Sequence, residues 1–156
     1  MKILDFLCPD AVVADLKAGT KKELIEEIVG MMVDAGAFEK KHKLKIIDVL
    51  MAREALGSTA IGQGIAIPHG KTDCVDNLVA GLAVSKRGID FDALDGEPAY
   101  IFFLLAAPSD SAGPHLKALA RVSRLLKDKY FRESLKSAKD KKEILELVSR
   151  EDAQLN

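Results

Sequence analysis

Three side chains in this sequence have the chemistry to take and hold a phosphoryl group: His69, His115 and Arg53. A histidine ring has an ordinary pKa of about 6.5, so a nitrogen lone pair is free near neutral pH. Histidine is a covalent nucleophile, and a phosphorylated imidazole is itself a reactive donor that can pass the group on. Phosphoryl transfer asks mainly for alignment and charge stabilisation. His69 stands in Ile65-Ala66-Ile67-Pro68-His69-Gly70-Lys71. There Gly70 leaves room for a close approach by a partner backbone or a phosphoryl group, and Lys71 adds a positive charge. His115 follows Gly113-Pro114 at an expected helix start, where N–H groups and the helix dipole draw anions and disfavour an imidazolium. Arg53 is placed in the last turn of an expected helix, with a guanidinium fork that matches phosphate oxygens. Each also has a plainer account: a strand-capping histidine, a solvent-facing helix-start histidine, and an arginine favoured by the dipole. His42 sits among Lys40, Lys41 and Lys43 in a solvated basic face and is given no role.

The elements that must position these residues follow from hydrophobic spacing. Leu24, Ile28, Met31 and Ala35, widened by Ile25, Val29 and Met32, form the apolar stripe of an amphipathic helix. Thr20 and Glu23 read as its capping box and Gly36 as its stop. A second helix is expected from about Glu39 to Ala55, with Leu44, Ile47, Leu50 and Met51 inward and Gly57 ending it. The run through Ile61, Gly64, Ile65, Ala66 and Ile67 reads as a short strand that Pro68 stops, leaving His69 free of strand alternation. Leu78 to Ser85 reads as a strand and Ala99 to Ala107 as one buried on both faces, with Asp95-Gly96 a turn between them. Pro108 to Pro114 is a loop, and His115 opens a helix with Leu116, Leu119, Ala120, Ser123 and Leu126 inward. Short helices around Phe131 to Ser137 and Lys142 to Val148 precede an expected frayed tail, 151–156. Alternating helices and strands imply an α/β fold, a mixed sheet flanked by helices on both faces, in one domain over 1–150.

Composition narrows the function. The chain has 156 residues, 48% hydrophobic and 30% charged, with a net charge of -1. That balance speaks against nucleic acid as a partner, and with six Phe, two Tyr and no Trp there are few rings for bases to stack on. The longest apolar stretch is too short to span a bilayer, and Asp5 interrupts the N-terminus before a signal peptide could form. A cytoplasmic protein without membrane insertion is expected. Cys8 and Cys74 do not make a disulfide framework in a chain able to form its own core, and both read as buried structural thiols.

The run Gly57-Ser58-Thr59-Ala60-Ile61-Gly62-Gln63-Gly64-Ile65-Ala66-Ile67-Pro68-His69-Gly70-Lys71 closely resembles the phosphohistidine signature of IIA domains of the bacterial phosphoenolpyruvate-dependent sugar phosphotransferase system. The branch is the fructose-mannitol type, which includes the nitrogen-regulatory IIA proteins. Arg53-Glu54, Leu94-Asp95-Gly96-Glu97-Pro98, Ala107-Pro108 and His115-Leu116 extend the resemblance over nearly the whole chain. It implies that His69 is the phosphorylated residue, His115 the second active-site histidine and Arg53 an arginine close to the phosphoryl group, with no cofactor and no metal. It also implies a histidine-containing phosphocarrier protein as donor, and either a IIB-domain cysteine or a regulatory target protein as acceptor. Position 63 is Gln where relatives vary, and neither cysteine lies in a IIB-like context.

Two other functions compete with a phosphohistidine carrier. One is a metal-dependent hydrolase with His69, His115 and an acid such as Asp73 or Asp110 as ligands, although no His-x-x-x-His or Cys-x-x-Cys accompanies them. The other is a non-catalytic regulatory binding module, for which Lys117, Arg121 and Arg124 offer a basic stripe on one helix.

Overall fold

The computed structural model describes residues 1–155. A single 3-10 turn, Ile3–Asp5, leads into strand β1, Leu7–Val13. Helix α1, Lys21–Asp34, begins as expected: Thr20 caps it, its side-chain oxygen accepting from the Glu23 N–H. The return arm of a capping box is missing, because the Glu23 carboxylate takes the Gly19 N–H instead. Gly36 ends the helix at φ +81°, a conformation that favours glycine. After another 3-10 turn, Lys40–His42, helix α2 runs Lys43–Leu56, with Ile46, Ile47 and Leu50 buried. Leu44, expected inward, is 75% exposed: it stands in the first turn of α2, off the buried face that Ile46, Ile47, Leu50 and Glu54 set.

Strands β2, Ala60–Gly62, β3, Ile65–Ala66, β4, His69–Lys71, β5, Val79–Ile89, and β6, Ala99–Ala107, complete one mixed sheet in the order β1-β5-β6-β3-β2, with β4 also on β6. Pro68 interrupts the central segment without ending it. Ile65 pairs with Ile101 and His69 with Leu105, both in parallel, so one register runs across the proline. The proline has no N–H to give β6, yet its carbonyl still accepts the Leu105 N–H at 2.9 Å, which carries the register across it; on the opposite side the last link to β2 is Ile67 N–H to the Thr59 carbonyl, 3.0 Å. From Pro68 onward the segment is a sheet edge. His69 therefore opens a strand rather than closing one, and it obeys the alternation that the sequence reading released it from.

Helix α3 spans Ala112–Leu125, α4 Lys129–Lys136 and α5 Lys141–Ala153. The helix expected to open at His115 thus starts three residues earlier, and its inward face is His115, Ala118, Val122 and Leu125. Leu116 and Ala120 face out; the expected stripe was rotated by one position because a histidine was not counted as an inward residue. The expected frayed tail is helical through Ala153, and Asp152 is buried within it; Asn156 lies outside the described residues. Two hydrophobic layers sandwich the sheet. One joins Leu82, Phe103, Leu105 and Val122 with the last three helices, and the other joins Phe102, Leu104, Ile28 and Leu50 with α1 and α2.

Candidate functional site

Because β2 stops short, the edge at β4 is open, and α2 from one face and α3 from the other reach around it. A cavity of about 640 Å³ lies there, lined by Arg53, His69, Lys71 and His115, with Val49, Leu56 and Leu119 among its apolar walls. All three residues singled out from the sequence therefore meet in one place. The two imidazoles approach edge to face, their ring centres 5.6 Å apart.

Sheet alternation explains the approach. His69 shares a face with Leu105, the face that α3 covers, whereas Gly70 shares one with Ala106, under α2. A methyl group at Gly70 would lie 2.8 Å from Val49 Cγ1. Gly70 itself lines the cavity, and its missing side chain also lets α2 seat against β4.

His69 has one ring nitrogen committed. Nδ1 lies 2.7 Å from the Ile67 carbonyl oxygen. A carbonyl can only accept, so Nδ1 carries the proton and Nε2 keeps the lone pair in the neutral ring. Burial pushes the His69 pKa below its ordinary 6.5 and the Arg53 charge adds to this, while the Ile67 hydrogen bond and Glu54 oppose it.

His115 is 4% exposed, and its Nε2 finds no hydrogen-bond partner among the described residues. Its pKa is also lowered, first by burial and then by the charges of His69 and Lys71. The helix-start argument gave the right direction for another reason, since His115 lies in the second turn, its own N–H bonded to the Ser111 carbonyl at 3.1 Å. An orphaned buried nitrogen is costly unless a ligand or partner meets it. Arg53 spends one donor on the Gly57 carbonyl, Nη1 to O 2.7 Å, which closes the end of α2 and fixes the root of the guanidinium beside the cavity.

Other expectations separate from the site. Asp73 is ion-paired with Lys45 at 3.1 Å, and among the described residues no group of three His, Cys, Asp or Glu is placed to hold a metal ion. The basic stripe is broken: Arg121 is half-buried and paired with Asp152, leaving Lys117 and Arg124 exposed. Cys8 and Cys74 are free and half-buried rather than fully buried. Sequence reasoning missed Glu54 and Thr59 behind the cavity, where a carboxylate one residue from an expected site arginine was the available signal. It also missed the cavity's apolar rim, where Leu56 is 86% and Leu116 67% exposed. No helix among the described residues is long and apolar enough to cross a membrane.

Comparison with known proteins gives a consistent picture. The model of a family described as "Phosphoenolpyruvate-dependent sugar phosphotransferase system, EIIA 2" matches residues 5–151. A nitrogen regulatory protein of Bradyrhizobium diazoefficiens is 36% identical over 149 residues, which is 96% of this chain and 95% of that protein. The fructose-specific EIIABC component of the Bacillus subtilis phosphotransferase system is 34% identical over 152 residues, 97% of this chain but only 24% of that larger protein. The crystal structure of the nitrogen regulatory protein IIA-Ntr from Neisseria meningitidis superposes with a TM-score of 0.82 at 31% identity, covering 92% of this chain and 97% of that one.

Proposed function

From the premise that this chain belongs to the EIIA type 2 family of the phosphoenolpyruvate-dependent sugar phosphotransferase system, we propose that it carries a phosphoryl group on Nε2 of His69. The observation that carries this is the Nδ1–H bond to the Ile67 carbonyl, which leaves Nε2 as the nucleophile.

In the proposed step the Nε2 lone pair attacks the phosphorus of a phosphohistidine on the donor. The new N–P bond forms as the donor's N–P bond breaks, and the donor imidazole leaves with its electron pair. The proton stays on His69 Nδ1, hydrogen-bonded to the Ile67 carbonyl, which stabilises the positive charge that builds on the ring. The unpartnered Nε2 of His115, protonated in one tautomer, donates to a phosphoryl oxygen, and the free guanidinium donors of Arg53 and the Lys71 charge receive the rest. The exposed Leu56 and Leu116 at the rim give a partner apolar surface to seat on. The donor is a histidine-containing phosphocarrier protein and the chain is a transferase component.

Two acceptors fit this role, a cysteine of a IIB domain or a regulatory target that reads the phosphorylation state. The likeness to nitrogen regulatory proteins over nearly the full length of both chains favours the second. A phosphoryl group on His69 would change that surface by adding negative charge and acceptor oxygens to an apolar rim.

The test is reconstitution with phosphoenolpyruvate, the first enzyme of the relay and the phosphocarrier. The expected product is a phosphoprotein that is acid-labile and alkali-stable, with label confined to His69. Label that survives in His69→Ala ends the proposal. Adding a IIB domain then separates the acceptors, since a transport carrier discharges to it and a signalling protein stays labelled.

A further inference from the structure

Glu54 follows Arg53 in sequence but turns the other way, into the protein, where its side chain is almost completely buried. Its carboxylate accepts from the Thr59 backbone N–H at 3.2 Å and from the Thr59 hydroxyl, and it pairs with Lys21 Nζ at 3.2 Å. Lys21 comes from the first turn of α1, sits over the Phe91 ring and also reaches Asp92 at 3.1 Å. A buried ion pair of this kind is poor at stabilising a fold, because desolvation offsets most of the attraction. Its value lies in fixing a geometry.

The geometry it fixes leads to His69. The Thr59 carbonyl accepts the Ile67 N–H at 3.0 Å, and the Ile67 carbonyl accepts the His69 Nδ1–H at 2.7 Å. The intervening turn is held from the other side as well, by Arg53 on the Gly57 carbonyl and by the Ser58 hydroxyl on the Phe91 carbonyl. We propose that Glu54 is a positioning residue for His69: with Lys21 it pins Thr59, and through Thr59 and Ile67 it fixes the ring's tautomer and direction so that Nε2 faces the cavity. The inference deepens the carrier reading and rests on it for the transfer rate, though not for the state of the ring. The charged groups acting on His69 are Arg53 and Glu54 from α2, and His115 faces it from α3; Glu54 is the carboxylate among them.

The experiment follows the ring directly, by 15N NMR of the unphosphorylated protein, together with the rate of phosphoryl acceptance. Wild type should show one tautomer, with Nδ1 protonated. Glu54→Gln and Thr59→Val should each mix the tautomers and slow acceptance about tenfold, the scale of a small misalignment of reacting groups. Glu54→Gln should also lower the His69 titration midpoint further, because a negative charge that favours the imidazolium is removed. Thr59→Ser, which keeps the hydroxyl, should restore both tautomer and rate. Should Glu54→Gln fail to fold, the nearly isosteric Thr59→Val and its serine control decide alone. A wild-type tautomer pattern and rate in Thr59→Val, or no recovery in Thr59→Ser, overturns the proposal. Absence of any phosphorylation in wild type would instead overturn the carrier reading, and the tautomer pattern would still decide the relay.

Discussion

Two buried carboxylates, built alike, do different work in this protein. Glu54 lies behind the cavity and Asp152 lies where the chain's two ends meet. Each is paired with one cation and accepts one backbone N–H from outside its own helix: Lys21 and Thr59 for Glu54, Arg121 and Ile3 for Asp152. Around Asp152 the circuit is closed, with Arg121 Nε at 2.7 Å and the Ile3 N–H at 2.7 Å, and it joins α3, α5 and the N-terminal turn. Around Glu54 the circuit continues through Thr59 and Ile67 to a histidine with a free nitrogen, beside a second histidine whose Nε2 has no partner. A closed polar network ties chain segments together, whereas one that ends on unmet groups holds those groups ready for a ligand.

The sharpest way to break this contrast is to exchange the expected outcomes. His69→Ala should abolish labelling completely while leaving the folded protein intact, and residual label above background would show that another residue carries the group. Asp152→Ala should do the reverse, costing about 3 kcal/mol by leaving the half-buried Arg121 and the Ile3 N–H unpaired. Urea unfolding would measure that loss, and the labelling rate at a temperature where the variant stays folded should match wild type. A slowed rate would mean that the two networks communicate.

Next comes His115→Ala, which removes the donor proposed for the phosphoryl oxygens. Acceptance should slow about 10²–10³-fold, the usual cost of losing one such donor, with labelling still reached in time. An unchanged rate would place His115 on the structural side of the comparison. Gly70→Ala forces a methyl group against Val49, so α2 must shift; about 1–3 kcal/mol of stability should go. Its rate should fall too, since Arg53 moves with that helix.

The smallest effect is in pH. Both site histidines titrate below their ordinary value in the folded protein, so the unfolded chain takes up protons first as pH falls. The stability tied to their neutral state is therefore fully present above about pH 6.5 and is lost as pH drops from there through the lowered folded-state midpoints. Urea midpoints at about pH 7.5 and about pH 5.5 should differ less in the His69→Ala, His115→Ala double variant than in wild type. An equal difference would mean that the rings are not held neutral by their burial.

The strands that bury both faces and the helices with wide apolar stripes were readable from spacing alone. Ala99–Ala107 and the Thr20-capped α1 fall where expected. What misled the reading were residues acting against type. His115 takes an inward helical position that a count of apolar residues cannot see, which rotated α3 by one place. Pro68 sits inside a continuous register because β6 pairs with the chain on both sides of it and takes its carbonyl, a fact held in the pairing and not in the proline.

The sequence by itself determined the candidates: two histidines, an arginine, and a glycine-flanked run whose length makes its resemblance specific. Residue type sets which nitrogen chemistry is available and hydrophobic period sets which segments bury, and both are local properties. Tertiary structure alone decided that a truncated β2 leaves an edge where α2 and α3 converge, that Nδ1 rather than Nε2 of His69 is occupied, and that Glu54 stands behind it. The sheet edge depends on pairing between strands far apart in the chain, and the short-range contacts of His69 and Glu54 form only once that pairing has fixed the backbone, so no local preference encodes them.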